Sequence, residues 1–351
     1  MIKTPIRPWL ALAACSLMLS GCSDDPAPGD QGSLQPISEK YPITWRFALE
    51  EIEGSVQHQY AEAFRYHIED ISDGLIEVDV FPYGSLGTST QLTELARNGS
   101  VNLAFASPGH LADTVPESGI FNLHFLMPEQ PEAARQLLED PELIAQFQQP
   151  YQQTGLHLLG FIPEGWMTWT ANQPLRSPAD FQGLRIRTMT SAMAAEAYQA
   201  YGAEPVQTPF SHVYSDLQLR KIDGQTNPVF AIEEMDFHEV QTTLTMARAS
   251  YFVASIVSNQ QWYNDLPDRE RTWLNDAVRD LAGFAWESQE TLNQQRLERM
   301  VETGGIQVIR LNEEERERFR QASLPVRDKY LVQTGEAGRA LLEFVDEWTQ
   351  R

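Results

Sequence analysis

Ile43-Thr44-Trp45-Arg46-Phe47-Ala48 is the first stretch of the chain with the composition of a strand, rich in β-branched and aromatic residues. Residues 55–70 follow it with apolar side chains at helical spacing, and Ile76–Val80 then alternates apolar and charged residues. Strand, helix and strand in this order predict a βαβ unit, in which the two strands lie parallel in one sheet.

The same pattern continues downstream. Thr88 or Ser89 is suited to cap a second helix, which is expected to end at Asn98-Gly99, and Val101–Phe105 has the composition of a third strand. Repeated βαβ units favour the α/β class, with helices covering both faces of a largely parallel sheet.

A second sheet is predicted after Gly155. Three strands are expected at Leu156–Ile162, Met167–Thr170 and Leu184–Thr188, and a helix from Ser191 to Tyr201. The roughly 310 residues after the N-terminal region exceed what one hydrophobic core usually serves, so two lobes are predicted.

The end of the chain is expected to link the two lobes. Tyr251–Val257 reads as a buried strand of the first sheet, and Gln307–Ile309 as a strand of the second. Between them, apolar spacing from Pro267 to Gly304 predicts one helix of about 36 residues and about 54 Å that runs along both lobes. The predicted architecture is a two-lobed clamp, each lobe a mixed sheet flanked by helices. Its lobes comprise residues 41–164 with 253–292, and residues 165–252 with 293–351.

The N-terminus has the features of an export signal rather than of a folded domain. A basic start and the apolar run Trp9–Leu19 precede Leu19-Ser20-Gly21-Cys22, which resembles the lipobox of bacterial lipoproteins. Residues 1–22 are therefore expected to be a signal peptide, with a lipid attached to Cys22; the alternative is an ordinary cleavage site beside a free thiol. Residues 23–40 are polar and rich in Pro and Gly, which predicts a flexible tether.

Composition excludes several functions. The formal charge of −23 repels phosphate backbones, so nucleic acid is not an expected partner. No Gly-x-Ser-x-Gly elbow, phosphate-binding loop or metal-ligand spacing is present in the sequence, so neither catalysis, nor a cofactor, nor a metal is predicted.

Several segments resemble one family. Ser177-Pro178-Ala179-Asp180-Phe181-Gln182-Gly183-Leu184-Arg185-Ile186-Arg187 is similar to the hallmark region of the DctP family, the periplasmic receptors of tripartite ATP-independent periplasmic (TRAP) transporters. Further similarity lies in Phe81–Gly87, Pro209–Gln218 and Ile222–Pro228, and the likeness runs in order over about residues 43–348. The resemblance implies a periplasmic binding protein fold and two membrane partners, a small DctQ-type and a large DctM-type subunit.

The resemblance also implies residue roles. Arg187 matches the arginine that holds the ligand carboxylate, although strand alternation alone does not choose between Arg187 and Arg185. Asn227 matches an asparagine that helps to hold the same carboxylate, and Phe210 an aromatic residue that lies against the ligand. As alternatives, Asn227 shapes the turn before Pro228, and Phe210 belongs to the core.

A closer likeness is to the ectoine-binding branch, through Trp45–Gly54, Pro163–Gly165 and Arg187–Thr190. It implies that Glu51 meets the cationic part of the ligand. The aromatic residues of that branch are incomplete here, because His110, Phe210 and Ala231 stand in their places. Met167 replaces a second arginine of many relatives, so His110, Met167 and Trp169 are expected to shape a different pocket.

These observations predict a receptor that binds a small organic acid or a zwitterion such as ectoine between two lobes. It would be anchored by lipid at a membrane surface, deliver the solute to the permease and catalyse no reaction. Two alternatives remain at this point: a lipoprotein hydrolase or lyase that uses the same cleft, and a sensor subunit for a membrane kinase.

Overall fold

A computed structural model describes residues 42–349 of the chain. The predicted signal peptide, the tether and Cys22 lie outside the described residues. Within 42–349, none of the helices combines the length and the apolar character needed to cross a membrane.

The first lobe is built on a five-stranded sheet with strand order β2-β1-β3-β10-β4. β1 pairs in parallel with β2 and β3, whereas β10 runs antiparallel to β3 and β4. Successive residues of β3 face opposite sides, so that Phe105 packs in one core and Ala104 in the other. The strands are β1 (Ile43–Ala48), β2 (Ile76–Phe81), β3 (Leu103–Ala106), β4 (Leu156–Trp166) and β10 (Tyr251–Asn259).

The second lobe is built on a six-stranded sheet with order β11-β9-β5-β8-β6-β7. β6 lies parallel to β7 and β8, and β5 lies antiparallel to β8 and β9. The strands are β5 (Thr168–Ala171), β6 (Arg185–Thr188), β7 (Glu204–Gln207), β8 (Gly224–Asn227), β9 (Thr243–Met246) and β11 (Gln307–Arg310).

Helices cover both sheets. Those before β4 are α1 (Val56–Ile71), α2 (Ser89–Arg97), α3 (Pro108–Leu111), α4 (Pro131–Leu138) and α5 (Pro141–Gln153). The second lobe contains α6 (Ala192–Ala200), α7 (Val213–Gln218) and α8 (Val229–Glu234). After β10 come α9 (Gln260–Asp265), α10 (Asp268–Asp280), α11 (Ala282–Thr303), α12 (Glu313–Ser323) and α13 (Pro325–Thr349). The 3₁₀ helices are Pro116–Asn122, Pro178–Phe181, Phe210–His212 and Phe237–Glu239.

The sheet memberships confirm the predicted two-lobed α/β fold, although β4, which was expected to begin the second sheet, belongs to the first because it pairs with β10. β10 returns to the first sheet and β11 joins the second, as their sequences suggested. The segments that follow β1, β6 and β8 all contribute residues to one cavity between the lobes.

The predicted continuous 36-residue helix is wrong. The helix breaks at Leu281, whose φ of −91° and ψ of 0° leave the helical region, so α10 has 13 residues and α11 has 22. α10 contacts α1 and β4 of the first lobe, whereas α11 contacts the same two elements and continues to α8 of the second lobe. Of these two helices, α11 is thus the one that reaches both lobes, and it ends at Gly304 in the left-handed conformation, as predicted.

The last helix contacts both lobes, whereas residues 293–351 were expected to belong to the second. α12 contacts the second lobe, and α13 contacts α6 of that lobe as well as α4, α5 and the 3₁₀ helix Pro116–Asn122 of the first. Its contacts with the first lobe come from its apolar face, because Val326, Tyr330 and Leu341 are buried in the same core as Leu137 and Phe147. The lobe boundaries stay a prediction.

Candidate functional site

A cavity lies between the two lobes, and we call it the front cavity. The first lobe contributes Glu50, Glu51, Gln57, Ser89, Ser107, His110 and Phe252, and the second contributes Arg187, Met189, Phe210, Asn227 and Ala231. Neither lobe lines the front cavity alone. Five of the residues singled out in the sequence meet here: Arg187, Asn227, Phe210, Glu51 and His110.

Arg187 is the cationic group of the front cavity. The side chain is 1% exposed, and its Nε and Nη2 donate to the carbonyl oxygen of Thr208 at 3.1 and 3.0 Å. Its Nη1 is buried without a hydrogen-bond partner, and no carboxylate of residues 42–349 forms a salt bridge with it. Removal from water lowers the pKa of Arg187 to about 10, which still leaves it charged at neutral pH.

Arg185 precedes Arg187 on the same strand but has a different environment. Its Nε and Nη2 donate to the two carboxylate oxygens of Asp223 at 2.9 and 2.8 Å, and the pair is partly exposed to solvent. The neutralised arginine therefore lies at the start of β6, and the unpaired one lies at its end, in the cavity.

Asn227 and Phe210 flank Arg187. The Nδ2 of Asn227 donates to Oε1 of Gln225 at 2.5 Å, and the Nε2 of Gln225 donates to Thr170 at 3.0 Å, which orients the amide. The ring of Phe210 lies 6.0 Å from the Arg187 guanidinium carbon and contacts Tyr83 of the first lobe edge-on at 5.9 Å.

Carboxylates occupy the opposite wall of the front cavity. Glu50 accepts a hydrogen bond from the backbone N–H of Ser107 at 2.9 Å, and its Oε1 is buried without a partner. Burial, more than any other cause, raises the pKa of Glu50 to about 8. Glu51 accepts from the backbone N–H of Gln57 at 3.2 Å, and burial followed by repulsion from Glu164 raises its pKa well above the usual range.

Two further acids surround this wall. The Nε2 of Gln57 donates to Glu164 at 2.9 Å, and burial raises the pKa of Glu164 to about 7. Burial and then the nearby Glu51 raise the pKa of Glu234 to about 8, although Arg296 donates to it at 3.3 Å. In the absence of a cation this wall holds protons, whereas a bound cationic group would favour its ionised form.

His110 connects the two lobes at the rim of the cavity. Its Nδ1 lies 2.8 Å from the Thr190 hydroxyl oxygen of the second lobe. Loss of hydration, followed by the charge of Arg187, lowers the pKa of His110 to about 3, so the imidazole is neutral at neutral pH.

Further contacts beside His110 hold the lobes together, and we call the group Gly109–Asp113 with Met189–Ala192 the latch. The Ser191 N–H donates to the carbonyl oxygen of Gly109 at 2.8 Å, and the Ala192 N–H donates to Oδ1 of Asp113 at 3.0 Å. A Cβ on Gly109 would lie 2.2 Å from Cε of Met189. The described conformation is therefore closed over the front cavity.

A second cavity adjoins the first, and we call it the back cavity. Met189 and Phe252 line both cavities and separate them. Met167 lies in the back cavity rather than the front one, with His124, Thr188, Tyr198 and Thr226.

Trp169 was expected to shape the pocket, but it lines neither cavity. It is 1% exposed in the core of the second lobe, where its ring packs edge-on against Phe181 at 5.0 Å and Phe319 at 4.9 Å. Trp169 points to the same face as Met167, but it lies two residues further along the strand and is enclosed by Phe181, Tyr201 and Phe319. Trp169 therefore belongs to the core.

Sequence reasoning did not single out several residues that line the front cavity, among them Glu50, Gln57, Ser107, Met189 and Phe252. Glu50 carried a weak signal, since it directly precedes Glu51 at the end of a strand. Phe252 carried none, because it reaches the cavity from a strand that was expected to be wholly buried. Within residues 42–349, no group of three or more His, Cys, Asp or Glu side chains is arranged to hold a metal ion.

Comparisons with known proteins agree with this geometry. The family model described as bacterial extracellular solute-binding protein, family 7 (DctP) matches residues 47–333. The ectoine-binding periplasmic protein TeaA of Halomonas elongata is 35% identical over 305 residues, which cover 86% of this chain and 89% of TeaA.

Solved structures show the same fold. A TRAP periplasmic solute-binding protein from Marinobacter aquaeolei VT8, in an apo open form, is 65% identical with a TM-score of 0.83 and covers 87% of this chain and 100% of its own. The ectoine-binding protein of the Halomonas elongata TeaABC transporter has 35% identity and a TM-score of 0.84, covering 88% of this chain and 99% of its own. The chain therefore belongs to the DctP family of bacterial extracellular solute-binding proteins, the solute receptors of TRAP transporters.

Proposed function

We propose that this receptor binds a small zwitterion, with its carboxylate on Arg187 and its cationic group against Glu50 and Glu51. The observation that carries the proposal is the buried guanidinium of Arg187, whose Nη1 has no partner. An unpaired buried charge costs several kcal/mol, and a ligand carboxylate removes that cost through a charge-assisted pair.

The acidic wall supports a cationic group at the other end of the ligand. Glu50 and Glu51 face the same cavity as Arg187, and Glu50 keeps one buried carboxylate oxygen without a donor. A ligand with separated opposite charges would satisfy both walls at once, whereas a simple dicarboxylate would bring its second negative charge towards the acids. Ectoine, the ligand named for TeaA, has this charge pattern and is the first candidate.

We also propose roles for other residues that line the two cavities. Asn227 provides a second donor to the carboxylate, and Phe210 packs on the body of the ligand. His110 closes the rim through Thr190, and Met189 gives the front cavity a neutral, adaptable wall, with Met167 behind it in the back cavity.

Substitution of Arg187 tests the proposal. Arg187→Ala should weaken ectoine binding at least about a hundredfold, because a sheltered two-pronged pair contributes about 1.5 to 3 kcal/mol per hydrogen bond. Isothermal titration calorimetry with ectoine, succinate and galactonate measures the change and ranks the charge patterns.

Arg185→Ala is the matched control, since it removes an arginine from the same strand that is already paired with Asp223. It should leave the dissociation constant within about threefold. Equal affinity of Arg187→Ala and wild type for the best ligand would refute the assignment.

The cellular context is proposed from the sequence and the family. Relatives are named periplasmic binding proteins, which supports a periplasmic location. We propose that a lipid on Cys22 anchors the receptor to a membrane and that DctQ-type and DctM-type subunits accept the solute. Radiolabelled palmitate incorporation, lost in Cys22→Ser, tests the anchor.

The relatives are named as binding proteins of transporters, and they support neither the enzymatic nor the sensory alternative. We propose that the receptor releases its solute unchanged. Mass spectrometry of ligand recovered after unfolding tests this, because a hydrolase or lyase would return altered molecules.

A further inference from the structure

The ends of two strands contribute residues to both cavities. Arg187 and Asn227 line the front cavity, whereas their neighbours Thr188 and Thr226 line the back one. Successive side chains on a strand point to opposite sides, so β6 and β8 each present one residue to either cavity. The same two strands thus build both.

The two cavities differ in charge. No Asp, Glu, Lys or Arg lines the back cavity. Its histidine, His124, lies 2.7 Å from the Tyr201 hydroxyl oxygen, and burial lowers its pKa to about 3. A carboxylate or ammonium group placed there would lose its hydration without gaining a counter-ion, so the back cavity suits only uncharged groups.

The back cavity nevertheless contains an unused polar group. The hydroxyl oxygen of Thr188 is buried without a hydrogen-bond partner in a residue that is 0% exposed. Buried polar atoms are nearly always paired in folded proteins, so the free hydroxyl of Thr188 marks a hydrogen-bonding position on the wall of the back cavity.

Side chains rather than backbone separate the cavities. Met189 contributes to both walls and packs with Met167 and Ala194 in one small apolar cluster. Methionine is unbranched and flexible, so its side chain can turn aside without a backbone movement.

We propose that the back cavity is a second subsite, which receives an uncharged, hydroxyl-bearing extension of the solute past Met189. The inference rests on the proposed function, because the charged part of the ligand occupies the front cavity. The class of solute is thereby narrowed to a zwitterionic monocarboxylate with a neutral substituent near the carboxylate, and a second charged group is disfavoured.

Filling the back cavity tests the subsite. Ala194 lines it, and Ala194→Leu would occupy its space; Ala200→Leu adds the same volume to the exposed end of the same helix. Calorimetry compares zwitterions with one head group and different neutral substituents, namely ectoine with 5-hydroxyectoine and alanine with leucine. Ala194→Leu should weaken the larger member of a bound pair about tenfold and the smaller less than threefold, while Ala200→Leu changes neither.

Thr188→Val provides a second, nearly isosteric test that does not overfill the core. It should weaken 5-hydroxyectoine about tenfold and leave ectoine unchanged, because only the former offers a hydroxyl partner. Melting temperatures confirm that each variant is folded.

The outcomes separate the two proposals. If the zwitterions bind in an Arg187-dependent way but both variants affect the members of every pair equally, the subsite is refuted and the proposed function stands. If no zwitterion binds the wild type, both fail.

Discussion

Arg187 has a guanidinium group that the protein holds in one orientation, and one nitrogen of that group is still free to bind a ligand. The carbonyl of Thr208 accepts two of its donors, which fixes the guanidinium plane, while Nη1 stays available. A lysine at this position would carry the charge but could not be oriented by one carbonyl and still offer a directed donor.

Glu50 is expected to strengthen ligand binding, but its ionised form lowers the stability of the folded, ligand-free protein. A pKa raised from 4.5 to about 8 means that the folded state binds more protons than the unfolded state across that window. Stability therefore falls as pH rises from about 4.5 to about 8. Glu50→Gln, which imitates the protonated form, should match the wild type near pH 4.5 and become the more stable protein as pH approaches 8.

Urea unfolding without ligand, at pH 5 and pH 8, measures this difference. The same variant should bind ectoine more weakly at pH 8, since its acidic wall has lost a charge. Glu53→Gln, at an exposed position nearby, should show neither effect. A wild-type advantage in stability that grows with pH would contradict the prediction.

At the scale of residues, the family motif distinguishes two arginines that periodicity alone does not. Alternation leaves Arg185 and Arg187 equivalent, and only the position of Asp223 in the fold makes one a paired surface arginine. The position of Trp169 in the core could not be predicted, for a different reason. Its neighbours Phe181 and Phe319 are distant in sequence, so nothing in the sequence around Trp169 marked it as a core residue.

At the scale of elements, the latch makes closure depend on one glycine. A Cβ at position 109 would lie 2.8 Å from Cβ of Met189, and that atom cannot move without its backbone. Gly109→Ala should therefore hold the lobes apart and weaken ligand binding about tenfold or more, with little change in the free energy of unfolding. Calorimetry measures the affinity, and small-angle X-ray scattering measures the decrease in radius of gyration on ligand addition.

Gly305→Ala is the control, because a Cβ there meets no atom within 4 Å. It should close and bind as the wild type does. Normal compaction and affinity in Gly109→Ala would show that the latch does not limit closure.

Strands and helices were largely predictable because apolar periodicity determines them locally. The helix break at Leu281 was not, since the apolar spacing continues through it and the backbone departs from helical φ and ψ at this one residue. Nor does the sequence show that α11 continues past the first lobe to α8, a contact that is visible only in the assembled fold.

At the scale of the molecule, α13 returns from the second lobe to the first. The amphipathic pattern of a helix predicts that one face is buried, but it does not predict which lobe that face packs against. This is why the lobe to which α13 belongs stays a prediction, whereas the predicted sheet memberships of β10 and β11 are confirmed.

Tyr330 is expected to stabilise the first lobe although it lies near the C-terminus. It is 0% exposed, and its hydroxyl donates to the carbonyl oxygen of Glu117 at 3.0 Å. Tyr330→Ala should lower the free energy of unfolding by about 3 to 5 kcal/mol, as loss of a large buried side chain does. Hydrogen exchange should accelerate in α4 and α5 more than in β6 and β8.

Val332→Ala, at a position 86% exposed on the same helix, should change stability by less than about 0.5 kcal/mol. Faster exchange confined to the second lobe in Tyr330→Ala would contradict the placement of α13.

The division of the front cavity between Arg187 on one lobe and Glu50 on the other has a consequence for inhibitors. A fragment that carries only the anionic half of the solute would dock on the second lobe and leave the acidic wall unbridged. Such a molecule would compete for the receptor yet fail to draw the halves together, and so would act as an antagonist of uptake rather than as cargo.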